Sequence, residues 1–184
     1  MTARREQILD TAATLFAQRG FHGVSVADLG AACGITGPAL YKHFPSKDAM
    51  LAEMLVSISE ELLRVGRSRS RGEDDPHRAL AALVDWHVEF ALHNKPLIVV
   101  QDRDWASLPE EARERVRSLQ RAYVDLWADR LREVQTDLTA REARARAHAC
   151  FGLLNSTPHS AMLPEEEMRS MLEEMALGAL GLTG

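Results

Sequence analysis

Thr36, Gly37, Ala39, Tyr41, Lys42 and His43 fall within the segment TGPALYKHF and leave small, hydroxyl-bearing and cationic side chains facing one way from a short helix. Their chemistry is recognition. Gly37 and Ala39 let a backbone approach another surface closely. Tyr41, Lys42 and His43 have the reach and the donors to meet phosphate oxygens or base edges. Arrangements for covalent chemistry are weaker. His148 and Cys150 sit two apart, so on a helix they face different ways. Ser156 and His159 are separated by Pro158, which interrupts a helix. Asp102 and Asp104 suit a loop or cap better than a catalytic pair. No acid is placed to orient a base, and the sequence has no phosphate-cradling glycine loop or zinc-helix motif.

The flanking residues position this segment. Ser25 and Asp28 have capping-box spacing, and Val26, Leu29 and Ala32 or Cys33 give an apolar face at helical spacing. Gly34 ends that helix and Ile35 plugs the space before the next one. Pro38 is tolerated in a first turn, while Leu40 and Phe44 face inward. Before this pair, Thr2 can cap a supporting helix with the stripe Ile8, Leu9, Ala12, Leu15 and Phe16, closed by Gly20 with Phe21 against Phe16. Ser46 caps a fourth helix over residues 47–63 or slightly beyond. Two short helices joined by a tight turn, with small and polar groups outward on the second, form a helix-turn-helix whose reading helix enters the DNA major groove.

The stretch ILDTAATLFAQRGFHGVSVADLGAACGITGPALYKHFPSKDAMLAEML, residues 8–55, resembles the TetR family of bacterial transcriptional regulators. The RGF–G–S/T-V element, the glycine turn, the LYKHF reading helix and the following SK carry the resemblance. It implies that Tyr41, His43 and Lys47 occupy DNA-contact positions, with Lys47 meeting phosphate at a helix N-terminus. Ser25, Thr36 and Gly37 align with positions near backbone or bases. Gly37 stands where other members carry a longer polar residue.

The net charge of −5 divides unevenly. Residues 1–50 hold five Lys+Arg and four Asp+Glu, while residues 51–184 hold seventeen and twenty-three. The local basic excess rests on Arg4, Arg5, Lys42 and Lys47, so affinity is expected from a few placed contacts and from pairing two subunits. Cys33 and Cys150 lie 117 positions apart without metal-ligand spacing, which points to a reducing cytoplasm with neither disulfide, metal nor cofactor. No apolar run reaches membrane length. The patch at residues 64–76, RVGRSRSRGEDDP, reads as a fraying helix end followed by a solvated connector.

Beyond it the chain is helical throughout. Asp75 and Pro76 open a helix to about residue 93, and a short apolar helix covers 96–105. Ser107 and Glu110 form a capping box before a helix to about 134, as do Thr139 and Glu142 before the next. Residues 147–163 contain no Asp, Glu, Lys or Arg, so this penultimate helix needs cover on both faces, and an identical subunit is the simplest second cover. Ala147, Phe151, Gly152 and Leu154, with Met168, Met171, Leu172 and Met175 from a last helix beginning at Pro164, are the expected dimer interface. The resemblance independently implies this contact. An effector pocket is expected from Met54, Ile58, Trp86, His87, Phe90, Ile98, Val99, Tyr123, Leu126, Trp127 and Asn155, an apolar wall with a few polar groups suited to a lipophilic ligand.

The expected fold is all-α with about nine helices: a three-helix helix-turn-helix domain at residues 1–46 and a helical effector-binding and dimerisation domain at 47–184. The expected function is a cytoplasmic homodimeric repressor on a palindromic double-stranded DNA operator, released by a small lipophilic effector. By resemblance that effector is a fatty acid or acyl-CoA thioester, with a planar aromatic compound as the alternative. A dimeric adaptor that has lost operator binding, and an all-α enzyme, are the competing readings.

Overall fold

Capping residues and three left-handed glycines set several helix ends in the computed structural model, which describes residues 3–182. The chain forms α1 (Ala3–Arg19), α2 (Val26–Ala32), α3 (Gly37–Leu40), α4 (Lys47–Arg71), α5 (Pro76–His93) and α6 (Lys95–Asp104). After a 3-10 turn (Trp105–Ser107) come α7 (Glu110–Val134), α8 (Ala140–Leu154), α9 (Thr157–Ser160) and α10 (Glu165–Ala179). The described residues include no strand. The expected Thr2 cap lies outside them.

The helices form two compact units. The first takes the chain as far as Ile58 together with Pro96–Val116, and the second takes Ser59–Lys95 together with the chain from Arg117 onward. In the first, the capping box at α2 is complete: Asp28 N donates to Ser25 Oγ at 3.1 Å and Ser25 N to Asp28 Oδ2 at 2.8 Å. Gly34 closes α2 at φ 66°, which a Cβ would resist. Gly30 lets the turn after α2 come close, since a Cβ there would lie 2.8 Å from the Ile35 carbonyl oxygen. Ile8, Phe16, Leu29, Leu40, Phe44 and Leu51 bury the inner faces, with Phe16 edge-on to Phe21 at 5.2 Å. Val100, Leu108 and Val116 join the same core from the later segment.

In the second unit α5 packs against α8 and α10. Three boundaries differ from the sequence expectation. α4 does not fray near residue 63 but continues to Arg71. The reason is tertiary. Gly66 sits so close to Tyr123 that a Cβ would lie 2.7 Å from its ring, and buried Ser70 accepts a 2.9 Å hydrogen bond from Arg130 Nε. Arg69 lies over the Trp86 ring and pairs with Asp85 and Glu89, so the basic run is anchored rather than solvated. α8 stops at Leu154, and the expected penultimate helix resumes only as the single turn α9. There Thr157 Oγ1 leaves its own helix to donate to the Ala91 carbonyl at 2.6 Å. Finally, Ser107 does not cap α7. It lies in the 3-10 turn, with its hydroxyl 3.0 Å from His22 Nε2. The Thr139–Glu142 box at α8 and the Asp75–Pro76 start of α5 form as expected.

Candidate nucleic-acid interface and effector site

The reading segment is short. α3 is one turn, and successive turn hydrogen bonds, including Lys42 N to Ala39 O at 3.2 Å and His43 N to Leu40 O at 2.9 Å, carry the chain on to Phe44. Thr36 caps it, accepting from Ala39 N. Leu40 and Phe44 anchor its inner side at 2% and 1% exposure, and this turns Tyr41 outward at 53%. Thr36, Lys42 and Ser25 are exposed as well, whereas Gly37, Ala39 and His43 are half-buried. The structure therefore brings Thr36, Gly37, Tyr41, Lys42 and His43 onto one short turn, with Ser25 at the start of α2.

The cations around this turn do something the sequence did not reveal. Lys47 is half-buried, and its Nζ donates to the Phe21 carbonyl at 2.7 Å and the Val24 carbonyl at 2.9 Å, 4.3 Å above the Phe21 ring. Arg4 donates to the Cys33 carbonyl at the end of α2 at 2.7 Å. Arg5 holds Glu53 and the His43 carbonyl and covers the Phe44 ring. Arg103, expected only in an apolar helix, donates to the Phe16 carbonyl and, at 3.0 Å, to the Ala17 carbonyl at the end of α1. Its partner Asp104 is buried. Arg4 and Arg103 meet carbonyls at helix C-termini, which carry partial negative charge and accept a cationic donor well, while Lys47 meets carbonyls of the loop between α1 and α2.

The expected effector pocket divides between the units. Met54, Ile58, Ile98 and Val99 belong to the first unit, and Met54 is part of its core. Trp86, His87, Phe90, Tyr123, Leu126, Trp127 and Asn155 belong to the second. His87 is the hub of these. It stacks on Phe151 at 4.8 Å and Tyr123 at 5.8 Å and meets Phe90 and Trp127 edge-on. Its Nε2 lies 3.1 Å from Asn155 Oδ1 and its Nδ1 3.4 Å from the Tyr123 hydroxyl. A neutral imidazole donating to Asn155 and accepting from Tyr123 satisfies both contacts. Burial drives the His87 pKa down to about 4, slightly opposed by Asn155, and drives Tyr123 and Cys150 upward, Cys150 to about 12. The Trp127 indole N–H is enclosed without a hydrogen bond of normal geometry. Trp86 stands apart, donating to the Leu62 carbonyl at 3.2 Å. An open groove elsewhere on this unit is lined by Glu73, Arg78, Ala81, Ala82, Val84, Asp85, Glu173 and Leu177, none of them expected pocket residues.

The expected dimer residues also need correction. Ala147, Leu154, Met168 and Leu172 are at most 2% exposed within their own chain, so they have no surface to offer a partner. Phe151 belongs to the aromatic cluster around His87. Gly152 and Met175 are exposed and Met171 is half-buried. In the break between α9 and α10, Met162 is 86% exposed and Leu163, like Met175, 48%. No helix among the described residues is long and apolar enough to cross a membrane, and none of their His, Cys, Asp and Glu side chains cluster in threes to hold a metal.

Two family models match the chain: bacterial regulatory proteins of the tetR family over residues 8–54, and a tetracyclin repressor-like C-terminal domain over 73–159. The HTH-type transcriptional repressor KstR2 of Rhodococcus jostii is 32% identical over 127 residues, covering 68% of this chain and 62% of that protein. The first three curated relatives are spanned over 45–63% of their lengths. A TetR-family regulator from Bordetella parapertussis superposes with TM-score 0.87 at 25% identity, over 98% of this chain and 95% of the other. AibR, solved in complex with isovaleryl coenzyme A and operator DNA, shares the fold at TM-score 0.75 and 22% identity, over 94% and 97% of the two chains.

Proposed function

We propose, from the premise that this chain belongs to the TetR family of bacterial regulatory proteins, that it is a homodimeric, ligand-responsive transcriptional repressor of the cytoplasm. Residues 1–46 bind a palindromic operator, and residues 47–184 hold the effector and the partner subunit. The observation that carries this reading is the turn at Tyr41 and Lys42, exposed outside while Leu40 and Phe44 fix it from within. Tyr41, Lys42 and His43 meet phosphate or base edges, Thr36 and Gly37 lie against the groove, and Ser25 offers its end of α2. Two such turns in a dimer span half-sites about one helical turn, roughly 34 Å, apart. Gly152, Met171 and Met175 supply the exposed part of the partner contact.

The effector is a small lipophilic molecule, a fatty acid or acyl-CoA thioester, as the isovaleryl coenzyme A complex of a fold neighbour illustrates. It acts only through a difference in affinity between the DNA-bound and released conformations. The test is binding to the DNA upstream of the chain's own gene, titrated with salt and with acyl-CoA. A site-specific, salt-sensitive shift that Tyr41→Ala weakens is the expected result. Absence of any site-specific shift overturns the operator reading, and equal acyl-CoA affinity with and without DNA overturns the coupling. Met175→Glu should sediment as a monomer.

A further inference from the structure

Lys47 occupies the first position of α4, where the helix macrodipole is positive and an anion is the favoured neighbour. A lysine there needs acceptors, and it has two. Phe21 O at 2.7 Å and Val24 O at 2.9 Å take two of its three N–H groups, and its charge rests 4.3 Å over the Phe21 ring. Val24 directly precedes Ser25, whose capping box starts α2. The ammonium thus ties the turn between α1 and α2 to the start of α4. Arg4 and Arg5 are likewise engaged, at the end of α2 and just beyond α3. The Lys42 side chain, next to the outward-turned Tyr41, is exposed and makes no hydrogen bond or ion pair among the described residues.

We propose that Lys47 is a positioning residue, a clamp that fixes the entry to α2 against the start of α4, and that direct phosphate contact in this region falls to Lys42. The proposal rests on the DNA-binding reading for its second half only. The clamp is a property of the protein alone.

Two measurements test it. The first is hydrogen exchange on the DNA-free protein. Lys47→Met keeps the aliphatic stem over Phe21 but removes the donors. Amides of residues 23–29 should then exchange several-fold faster, because their local opening becomes easier. Lys47→Arg should restore protection, and Lys47→Gln, with one amide group able to reach one carbonyl, should fall between. Unchanged exchange in Lys47→Met overturns the clamp.

The second uses a duplex selected from a random-sequence library by the wild-type protein. Lys47→Met should bind it roughly tenfold more weakly, because both hydrogen bonds that hold the entry to α2 are lost, with an unchanged log–log salt slope. Lys47→Arg should rescue the affinity. Lys42→Ala should flatten the slope by about 0.9 per subunit, the signature of one lost phosphate contact. A flattened slope in Lys47→Met, or an unchanged one in Lys42→Ala, overturns the assignment. If the wild type selects no duplex, the DNA-binding reading fails together with the Lys42 half, and hydrogen exchange still decides the clamp.

Discussion

The two units of this chain solve the same problem, ordering short helices, with opposite chemistry. In the first, cations hold backbone carbonyls at helix ends and in the loops beside them: Arg4 to Cys33, Arg5 to His43, Arg103 to Phe16 and Ala17, and Lys47 to Phe21 and Val24. In the second, the organising polar group is the neutral imidazole of His87, enclosed by Phe90, Tyr123, Trp127 and Phe151. One arrangement keeps charge beside an exposed turn. The other removes charge from an aromatic interior. A residue's type therefore says little about its job until its neighbours are known. Lysine and arginine beside a reading turn serve their own fold first.

The sharpest way to break the contrast is to empty the aromatic cluster. Trp127→Ala should cost about 3–5 kcal/mol of stability, measured by urea unfolding, since it deletes a buried indole that three rings contact. A loss below about 1 kcal/mol would mean that the cluster is loosely packed.

Acid should act next. The folded-state pKa of His87, about 4, lies below its ordinary 6.5, so the unfolded chain binds the extra proton first. Stability from this group is fully present above pH 6.5 and declines as the pH falls towards 4, by about 3 kcal/mol in all. His87→Leu should remove that decline from the pH profile of unfolding; an unaltered profile would assign the decline to other groups. Asp28 and Glu142, whose carboxyls are held below their usual range by Ser25 and Thr139, lose their contribution only at lower pH, as it falls through their depressed values.

The smallest expected effect is shared by the units. Ser25→Ala and Thr139→Ala each remove one side of a capping box and should cost about 1 kcal/mol. Equal losses at the two sites, by thermal unfolding, would show that local helix starts are independent of the charge regime around them.

Those caps are what could be read from sequence. Ser25 with Asp28, Thr139 with Glu142, Asp75 with Pro76, and glycines at 20 and 34 act within a few residues, so spacing reveals them. What escaped reading depends on partners far along the chain. Arg103 caps a helix that ends more than eighty residues earlier. The run at residues 64–71 looks like a connector until Gly66 is seen against Tyr123 and Ser70 against Arg130. Phe151 reads as partner-facing because its segment lacks charge, yet its ring stacks on those of His87 and Tyr123 in its own chain. An uncharged helix shows that cover is needed, and only the tertiary structure shows how much the chain itself provides.

Trp127 is 1% exposed and walled by rings, whereas Trp86 in the same unit is 9% exposed and Trp105 in the other unit is half-buried. A dipole created by light in so buried and aromatic a setting has little around it that can reorient. Its emission should sit at the blue end of the indole range and redden when anything pries the cage open. The chain thus carries an intrinsic optical gauge of the packing around His87.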